Sequence, residues 1–392
     1  MNVDLYERYG LRRVLNAAGT MTYLGSSSVG PRVAAAMNAA LPAFVEMREL
    51  QAAASRVIAE ATGAEAGCVT ASAASGIAIA VAASMTGTDL DRIERLPDVA
   101  GLRHEVILQK GHSVSFGASL AQTIRLTGAS LVEVGAATAC AGYQLRGAIG
   151  PNTAAIVYVV SHHAVQSGML GLAECCAIAA ERGVPVIVDA ASEYDLEGFL
   201  AAGARLVVYS GHKFLGGPTS GIVAGELGLV RACYMQEKGI GRCMKVGKES
   251  IVGVLEALAQ WRDRDAAAIR RAEESRIDYA YEALNRLEGL VADRVVDPTG
   301  NPITRLRVTV DAGRCGLSAE SLVLRLAAGN PSIQLRAHES ALGHFQIDAC
   351  QLRDGEIERV CEAIAGALLD PAPPPSGSPG DRTYASLLRW PD

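Results

Sequence analysis

The sequence predicts an α/β protein: a large domain built on a mainly parallel sheet of the seven-stranded type, followed by a smaller C-terminal α+β domain. Three observations carry this. Between residues 64 and 225, short and wholly apolar runs alternate with helical stretches. A helical stretch then covers residues 249 to 290, and beyond it strand and helix patterns follow in mixed order. Apolar strands joined by helical crossovers imply parallel pairing with both sheet faces covered. In such sheets ligands gather at the carboxyl ends of the strands.

The elements follow in chain order. Residues 1–49 read as an N-terminal arm and a helix: "RRVLNAAGTMTYLGSSSVGP" lacks helical periodicity, and a helix is expected after Pro31. A second helix runs through "QAAASRVIAEAT" to Gly63, a suitable C-terminal cap. The large domain, residues 50–250, contains the strands "AGCVTAS", "EVILQ", "SLVEVG", "TAAIVYVV", "PVIVDA", "ARLVVYS" and "GIVAGE". Helices are expected at "ASGIAIAVAASMT", "VSFGASLAQTIRLTG" and "GLAECCAIAAERG". Residues 251–370 form a linking helix, read as continuous to 290, and the small domain. That domain holds the strands "TRLRVTVD", "SIQLRAHE" and "HFQIDAC" and the helices "SAESLVLRLAAG" and "DGEIERVCEAIAGALL". Residues 371–392 are rich in Pro, Gly and Ser and are expected to be a flexible tail.

Composition narrows the function. Hydrophobic residues make up 49% of the 392 and charged ones 20%, as in a well-packed globular protein. The net charge is −6 with no basic tract, which argues against a nucleic-acid partner. The N-terminus has charges where a signal peptide needs an apolar core, and no apolar window is long enough to span a bilayer. Nine cysteines without a CxxC pair read as reduced, mostly buried thiols. A cytoplasmic protein is expected.

Three features should converge at the strand ends. In "TASAASGIAIA", Ala74, Ser75 and Gly76 open a helix directly after a strand. Free amides, a hydroxyl and a glycine there suit a phosphate, although the same residues also merely cap helices. Asp189 ends the apolar strand "PVIVDA", where a desolvated carboxylate needs a cationic partner unless it caps the next segment or ligates a metal. Lys213 stands in "YSGHKFLGGP", 24 residues after Asp189, between Ser210 and His212 on one side and a glycine pair on the other. An amine beside apolar groups is a better nucleophile toward carbonyls. The glycines are expected to let the backbone pass near a ligand. Together these are the requirements of pyridoxal 5'-phosphate: a phosphate cradle, a carboxylate for the pyridine nitrogen and a lysine for the Schiff base.

The chain resembles the aspartate-aminotransferase-type enzymes of fold type I. More narrowly it resembles the selenocysteine-synthase-like group that includes D-glucosaminate-6-phosphate ammonia lyase. The residues carrying this are "LRRVLNAAGTMTYLGSSSV", "LQAAASRVIAEATGAEAGCVTASAASGIAIA", "LVEVGAATA", "PVIVDAASE", "YSGHKFLGGPTSGI" and "GIGRCMKVGKESIVGVLEAL". Selenocysteine synthases carry a longer N-terminal domain for tRNA, so work on tRNA is not expected here. The resemblance implies a pyridoxal-phosphate-dependent transferase-like large domain, with Lys213 bonded to the cofactor and Asp189 at its pyridine nitrogen. It places Ala74, Ser75, Gly76, Ser210 and His212 around the phosphate, His112 on the ring face, and His162 or His163 at the phenolic oxygen. His112 as a plain loop residue is the alternative. His162 and His163 also suggest a metal pair, but no further ligand accompanies them at suitable spacing, and no metal is expected.

For the substrate, Arg336 is the candidate to clamp an α-carboxylate, because a guanidinium makes two parallel bonds to it. A surface-strand arginine would look the same in sequence. Thr22 and Tyr23 in the arm, and Arg242 and Lys245 in "GRCMKVGKE", are further substrate-binding candidates; the basic pair also fits a solvated helix start. Enzymes of this fold build the site at a dimer interface, so a homo-oligomer with shared sites is expected. The leading expectation is a lyase that eliminates the β-hydroxyl of a hydroxylated amino acid, of the D-glucosaminate type, giving a 2-keto acid and ammonia. Racemisation or epimerisation, aldol cleavage and transamination remain open on the same scaffold.

Overall fold

The computed structural model describes residues 4–370, together with 372–373, 378–380, 387–388 and 390. Most of the tail expected at 371–392 therefore lies outside the described residues. The chain forms two compact units: residues 28–264, and the N-terminal residues to Ser27 together with those from Asp265 onward. The expected arm 1–49 is thus divided. Its first part forms β1 (Val14–Ala17), which pairs in parallel with residues 332–335. Its second part, the helix Pro31–Ala40, packs on the helix Lys248–Asp263 in the larger unit.

The helical stretch 249–290 is not continuous. It breaks after Asp263, and Asp265 caps a new helix, Ala266–Leu284, by accepting a 2.8 Å bond from the Ala268 amide. Helical periodicity continues across "WRDRDAAA", and a side-chain cap is enough to restart the helix there.

In the larger unit, β2 (Ala66–Thr70), β3 (Glu105–Gln109), β4 (Ser130–Val134), β5 (Thr153–Val159), β6 (Val186–Asp189), β7 (Leu206–Ser210) and β8 (Gly221–Gly225) form one sheet in the order β2-β8-β7-β6-β5-β3-β4. Only β8 runs antiparallel to its neighbours. The strands read as unbroken apolar runs because both faces are covered. Ile187, Leu206, Val208 and Val223 pack with Ile77, Ala80 and Val81 of the helix Ala73–Thr86. The alternate residues Val186, Val188, Val207, Tyr209 and Ile222 pack on the other face with Ile251, Val254 and Leu258. The helix Ala73–Thr86 is buried almost all round, and a Cβ at Gly76 would lie 2.9 Å from Val208 Cγ1. That glycine lets the helix lie directly on the sheet.

Register and alternation set the working edge. Thr70 pairs with Gly221 and Gly221 with Ser210, while Asp189 pairs with Val159 and Val208. By the two-residue period, Thr70, Asp189 and Ser210 face the same side as Cys68, Ile187 and Val208, the side of the helix Ala73–Thr86.

The smaller unit holds β9 (Leu290–Val296), β10 (Thr304–Val310), β11 (Ser332–Leu335) and β12 (His344–Asp348). The strands β12-β10-β9 form an antiparallel sheet, and β11 pairs with β1. β9 begins where the helical reading ended. Its core gathers Ile277, Leu284, Leu306, Val308, Phe345, Ile347, Val360 and Ile364. Within it Arg305, 5% exposed, donates at 2.7 Å to both Asp297 and Asp348. Burial pushes both carboxyls up, yet both end below the ordinary value. The Arg305 charge does this for Asp348; the Thr299 hydroxyl and Arg305 do it for Asp297.

Arg305→Met is expected to strand two buried carboxylates at a cost of roughly 3–5 kcal/mol, read as a lower denaturation midpoint. Because both carboxyls are depressed, their contribution is present above the ordinary carboxylate range and lost as pH falls through the folded values. The variant should lack that acid limb.

Candidate active site

Asp189 closes β6 at 5% exposure, with the Ala191 amide donating to its carboxylate at 3.2 Å. Burial raises its carboxyl to about 6, against the pull of the Lys213 charge and that amide. Lys213 stands three residues past β7, in a turn closed by Gly216 N–H to Lys213 O (3.0 Å) and Gly217 N–H to Gly211 O (2.8 Å). Gly216 takes φ +67, and a Cβ at Gly217 would lie 2.7 Å from the Gly211 carbonyl. The glycine pair therefore serves the approach of chain to chain within this turn. Lys213 Nζ donates to Ser192 Oγ at 2.6 Å. Tyr194 meets Phe214 edge-on at 4.4 Å and Trp261 at 5.0 Å, locking the loop after β6 to the lysine turn.

The anion seat differs in detail from the sequence expectation. Ser72 is the cap, accepting from the Ser75 amide at 3.1 Å, and Ser75 Oγ accepts from the Ser72 amide at 2.8 Å. This reciprocal capping box engages the Ser75 hydroxyl and leaves the first-turn amides of Ala73 and Ala74 as the donors an anion would meet. Gly76 faces the strands. Beside this helix start, Ser210 Oγ and His212 Nδ1 lie 3.0 Å apart. A side chain at Gly221 would collide with Ser72 O and Thr70 Oγ1, so the helix entry sits directly on the β8 strand end.

His112 ends a short 3-10 turn after β3 and is 3% exposed. Its Nδ1 accepts from the Val159 amide at 3.2 Å, and its ring stands edge-on to Tyr158 at 4.6 Å. Burial lowers its pKa to about 4, so the ring is neutral near pH 7. It is a fixed group, unlike an ordinary loop residue. His162 is half-buried and His163 exposed in the turn after β5, with their rings 3.9 Å apart. Among the described residues, no three His, Cys, Asp or Glu side chains form a metal-holding group.

Arg242 and Lys245 are exposed around the 3-10 turn Ile240–Met244, ahead of the helix that Lys248 begins. In the smaller unit Arg336 is 5% exposed, which separates it from an ordinary surface-strand arginine. Its Nη1 donates to Ala18 O at 3.3 Å, and its backbone bridges to Gln346. Asp348 lies close by: its charge favours the Arg336 cation, and a Cβ at Gly19 would lie 2.8 Å from its Oδ2. Thr22 and Tyr23 are exposed in the turn Thr22–Leu24, and the Arg336 charge reaches the Tyr23 phenol. Ser72 and Ser192 are not among the residues that the sequence singles out. Ser72, three residues before Ser75, had a capping-box spacing; Ser192 carried no signal, since its role appears only when two loops meet.

The larger unit therefore combines, at one sheet edge, an amide-and-hydroxyl seat for an anion, a buried carboxylate short of positive charge, and an amine. This donor set fits pyridoxal 5'-phosphate, with the phosphate at the helix start and the ring nitrogen at Asp189. Fold and site together define a pyridoxal-phosphate-dependent enzyme of the aspartate-aminotransferase fold type.

A family model described as L-seryl-tRNA selenium transferase (SelA) matches residues 46–274. The chain is 40% identical to D-glucosaminate-6-phosphate ammonia lyase of Salmonella typhimurium over 91% of this chain and 96% of that protein. It is 42% identical to a 5'-C-glycyluridine monooxygenase-decarboxylase of a Streptomyces species, over 95% of this chain and 94% of the other. A solved D-glucosaminate-6-phosphate ammonia-lyase structure superposes with a TM-score of 0.85 at 38% identity, covering 94% of this chain and 99% of that one. A Thermus thermophilus aspartate aminotransferase shares the fold, with a TM-score of 0.54 at 18% identity, covering 92% and 93%. The chain belongs to the L-seryl-tRNA selenium transferase (SelA) family.

Lys213→Ala is expected to abolish an absorbance band near the visible edge that borohydride bleaches in the unaltered protein. A second expectation concerns the cofactor-free protein. The Asp189 carboxyl is raised, so its own contribution to stability is fully present below the ordinary carboxylate value and is lost as pH rises through about 6. Asp189→Asn should flatten that limb in denaturation midpoints measured from pH 4 to pH 7.

Proposed function

We propose that this protein is a pyridoxal-phosphate-dependent lyase that removes the β-hydroxyl of a hydroxylated amino acid and yields a 2-keto acid and ammonia. The observation that carries the proposal is the near full-length similarity to an ammonia lyase, in sequence and in structure, on a chain that keeps Lys213 and Asp189 at its strand ends. That relative's name supports a D-glucosaminate-type substrate.

When bound, the cofactor supplies an electron sink for the substrate's α-carbon. The remaining tasks fall to the chain. Asp189, buried and short of positive charge, holds a proton on the ring nitrogen by favouring the cationic ring. The amides of Ala73 and Ala74, with Ser210 and His212, hold the phosphate. His112, neutral and fixed by the Val159 amide, offers a flat uncharged surface to the ring. His162 or His163 is proposed as donor to the phenolic oxygen. Lys213 Nζ takes the proton from the α-carbon as general base.

Arg336 is proposed for the substrate carboxylate because its guanidinium is already desolvated and is held by the Ala18 carbonyl. Thr22 and Tyr23 are proposed for the substrate's polar groups, and Arg242 and Lys245, exposed and cationic, for a substrate phosphate. The enzyme is proposed to work in the cytoplasm as a homo-oligomer. All nine cysteines carry free thiols, and no helix among the described residues is long and apolar enough to cross a membrane.

A second activity has a specific observation behind it. The similarity to a monooxygenase-decarboxylase supports oxygen-dependent loss of the carboxylate on the same amino-acid scaffold. One experiment separates the two. Hydroxylated D- and L-amino acids, with and without a terminal phosphate, are assayed for ammonia, 2-keto acid, oxygen uptake and carbon dioxide. The lyase is expected to release ammonia and keto acid in equal amounts under nitrogen. Oxygen uptake matched by carbon dioxide would overturn it in favour of the second activity.

A further inference from the structure

We infer that Ser192 is a positioning residue of this enzyme: its hydroxyl receives the Lys213 amine whenever that amine is not bonded to the cofactor, and so fixes the position from which it acts as a base. The inference rests on the proposed role of Lys213 and extends it to a residue in a different loop.

The hydroxyl lies 2.6 Å from Nζ, and its place is set by backbone on both sides. The loop after β6 stays tied to β7: Ala190 N–H donates to Val208 O at 2.9 Å and Ser210 N–H to Ala191 O at 3.2 Å. Glu193 N–H then turns back onto Ala190 O at 3.1 Å, which puts Ser192 at the corner of a tight turn. Beyond the corner, Tyr194 packs edge-on against Phe214, the residue after Lys213. The strand that leads to the lysine thus also anchors the loop that carries the hydroxyl. Hydroxyl and amine are held to one another through β7, so their meeting does not depend on a freely moving surface side chain.

The chemistry requires such a partner. A lysine amine on four rotatable bonds, once released, has many places to go, and proton transfer needs it within hydrogen-bond reach of the same atom at each turnover. In the transfer the α-carbon–hydrogen bond breaks toward Nζ, its electron pair remaining on the substrate side. The resulting ammonium gains an N–H that donates to Ser192 Oγ. Asp189 and His212 also sense this charge: the ammonium favours the Asp189 carboxylate, and it adds to burial in keeping His212 neutral. Ser192 contacts Nζ as an uncharged acceptor, so it orients the amine without locking it in an ion pair.

The test uses Ser192→Ala and Ser192→Thr. In holoenzyme with D- and L-serine as probes in deuterated water, Ser192→Ala is expected to keep the borohydride-sensitive band. It should exchange the α-proton roughly ten- to a hundredfold more slowly, less than the roughly 10²–10⁴-fold that a proton-transfer group itself contributes, because the base Lys213 is still present. Ser192→Thr, which restores the hydroxyl, should recover most of the rate. In cofactor-free protein, the pH midpoint for reductive methylation of Lys213 should fall in Ser192→Ala, because the ammonium loses an acceptor while Asp189 and His212 are unchanged. Exchange at the unaltered rate with an unchanged methylation midpoint would overturn the inference. So would loss of the band in Ser192→Ala, which would make the hydroxyl an anchor for the cofactor. Absence of any band in the unaltered protein would instead defeat the cofactor assignment, and the methylation midpoint would still decide whether Ser192 holds the amine.

Discussion

A carboxylate at the end of a buried strand is an electrostatic debt, and the candidate site gathers around the one at Asp189. The strand before it is wholly apolar because both sheet faces are covered, so its last residue enters a region with little water. Ionising there costs more than in solvent, which is why the carboxyl is pushed up to about 6 even with the Lys213 charge in reach. A positively charged ring nitrogen relieves that cost. The neighbouring strand ends are then constrained as well: the register that pairs Asp189 with Val208 and Ser210 with Gly221 places amine, hydroxyls and helix start around the same space.

The smaller unit makes an instructive contrast. Asp297 and Asp348 are also buried, yet both end below the ordinary carboxylate value because Arg305 and Thr299 satisfy them from within the chain. That network is complete as folded and reads as structure. Asp189 is incomplete as folded and reads as a site. The two outcomes come from the same desolvation and differ only in whether the chain provides the compensating groups. Arg336 stands beside the complete network. Its guanidinium donates to the Ala18 carbonyl, and the N-terminal segment reaches this place because β1 pairs with β11.

The site explains why one fold can serve different reactions. The groups at the sheet edge are suited to a phosphate, a ring nitrogen and a carbonyl of the cofactor, none of which belongs to a substrate. Relatives of this chain accordingly include an ammonia lyase and a monooxygenase-decarboxylase at similar identity. The choice of reaction rests on how protons and oxygen reach the α-carbon. A hydroxyl such as that of Ser192, 2.6 Å from the Lys213 amine, stands where it would bear on that choice.

The apolar runs, their alternation with helices, and the spacing of Asp189 and Lys213 were legible in the amino-acid sequence by itself. Each depends on local period and composition, and the strands of the larger unit fall where those patterns place them, whereas the helix expected over 114–128 covers only Leu120–Arg125 and the helix Leu227–Met235 was not expected. Three things were decided only by the tertiary structure. The helical stretch 249–290 breaks because a single aspartate side chain caps the second helix, an interaction that periodicity does not register. The arm divides between two units because β1 finds its partner strand more than three hundred residues away. The contact between Ser192 and Lys213 arises because β7 anchors one loop and launches the other. Sequence patterns report which residues are buried and how often; which loops meet is set by register, and register is a property of the assembled sheet.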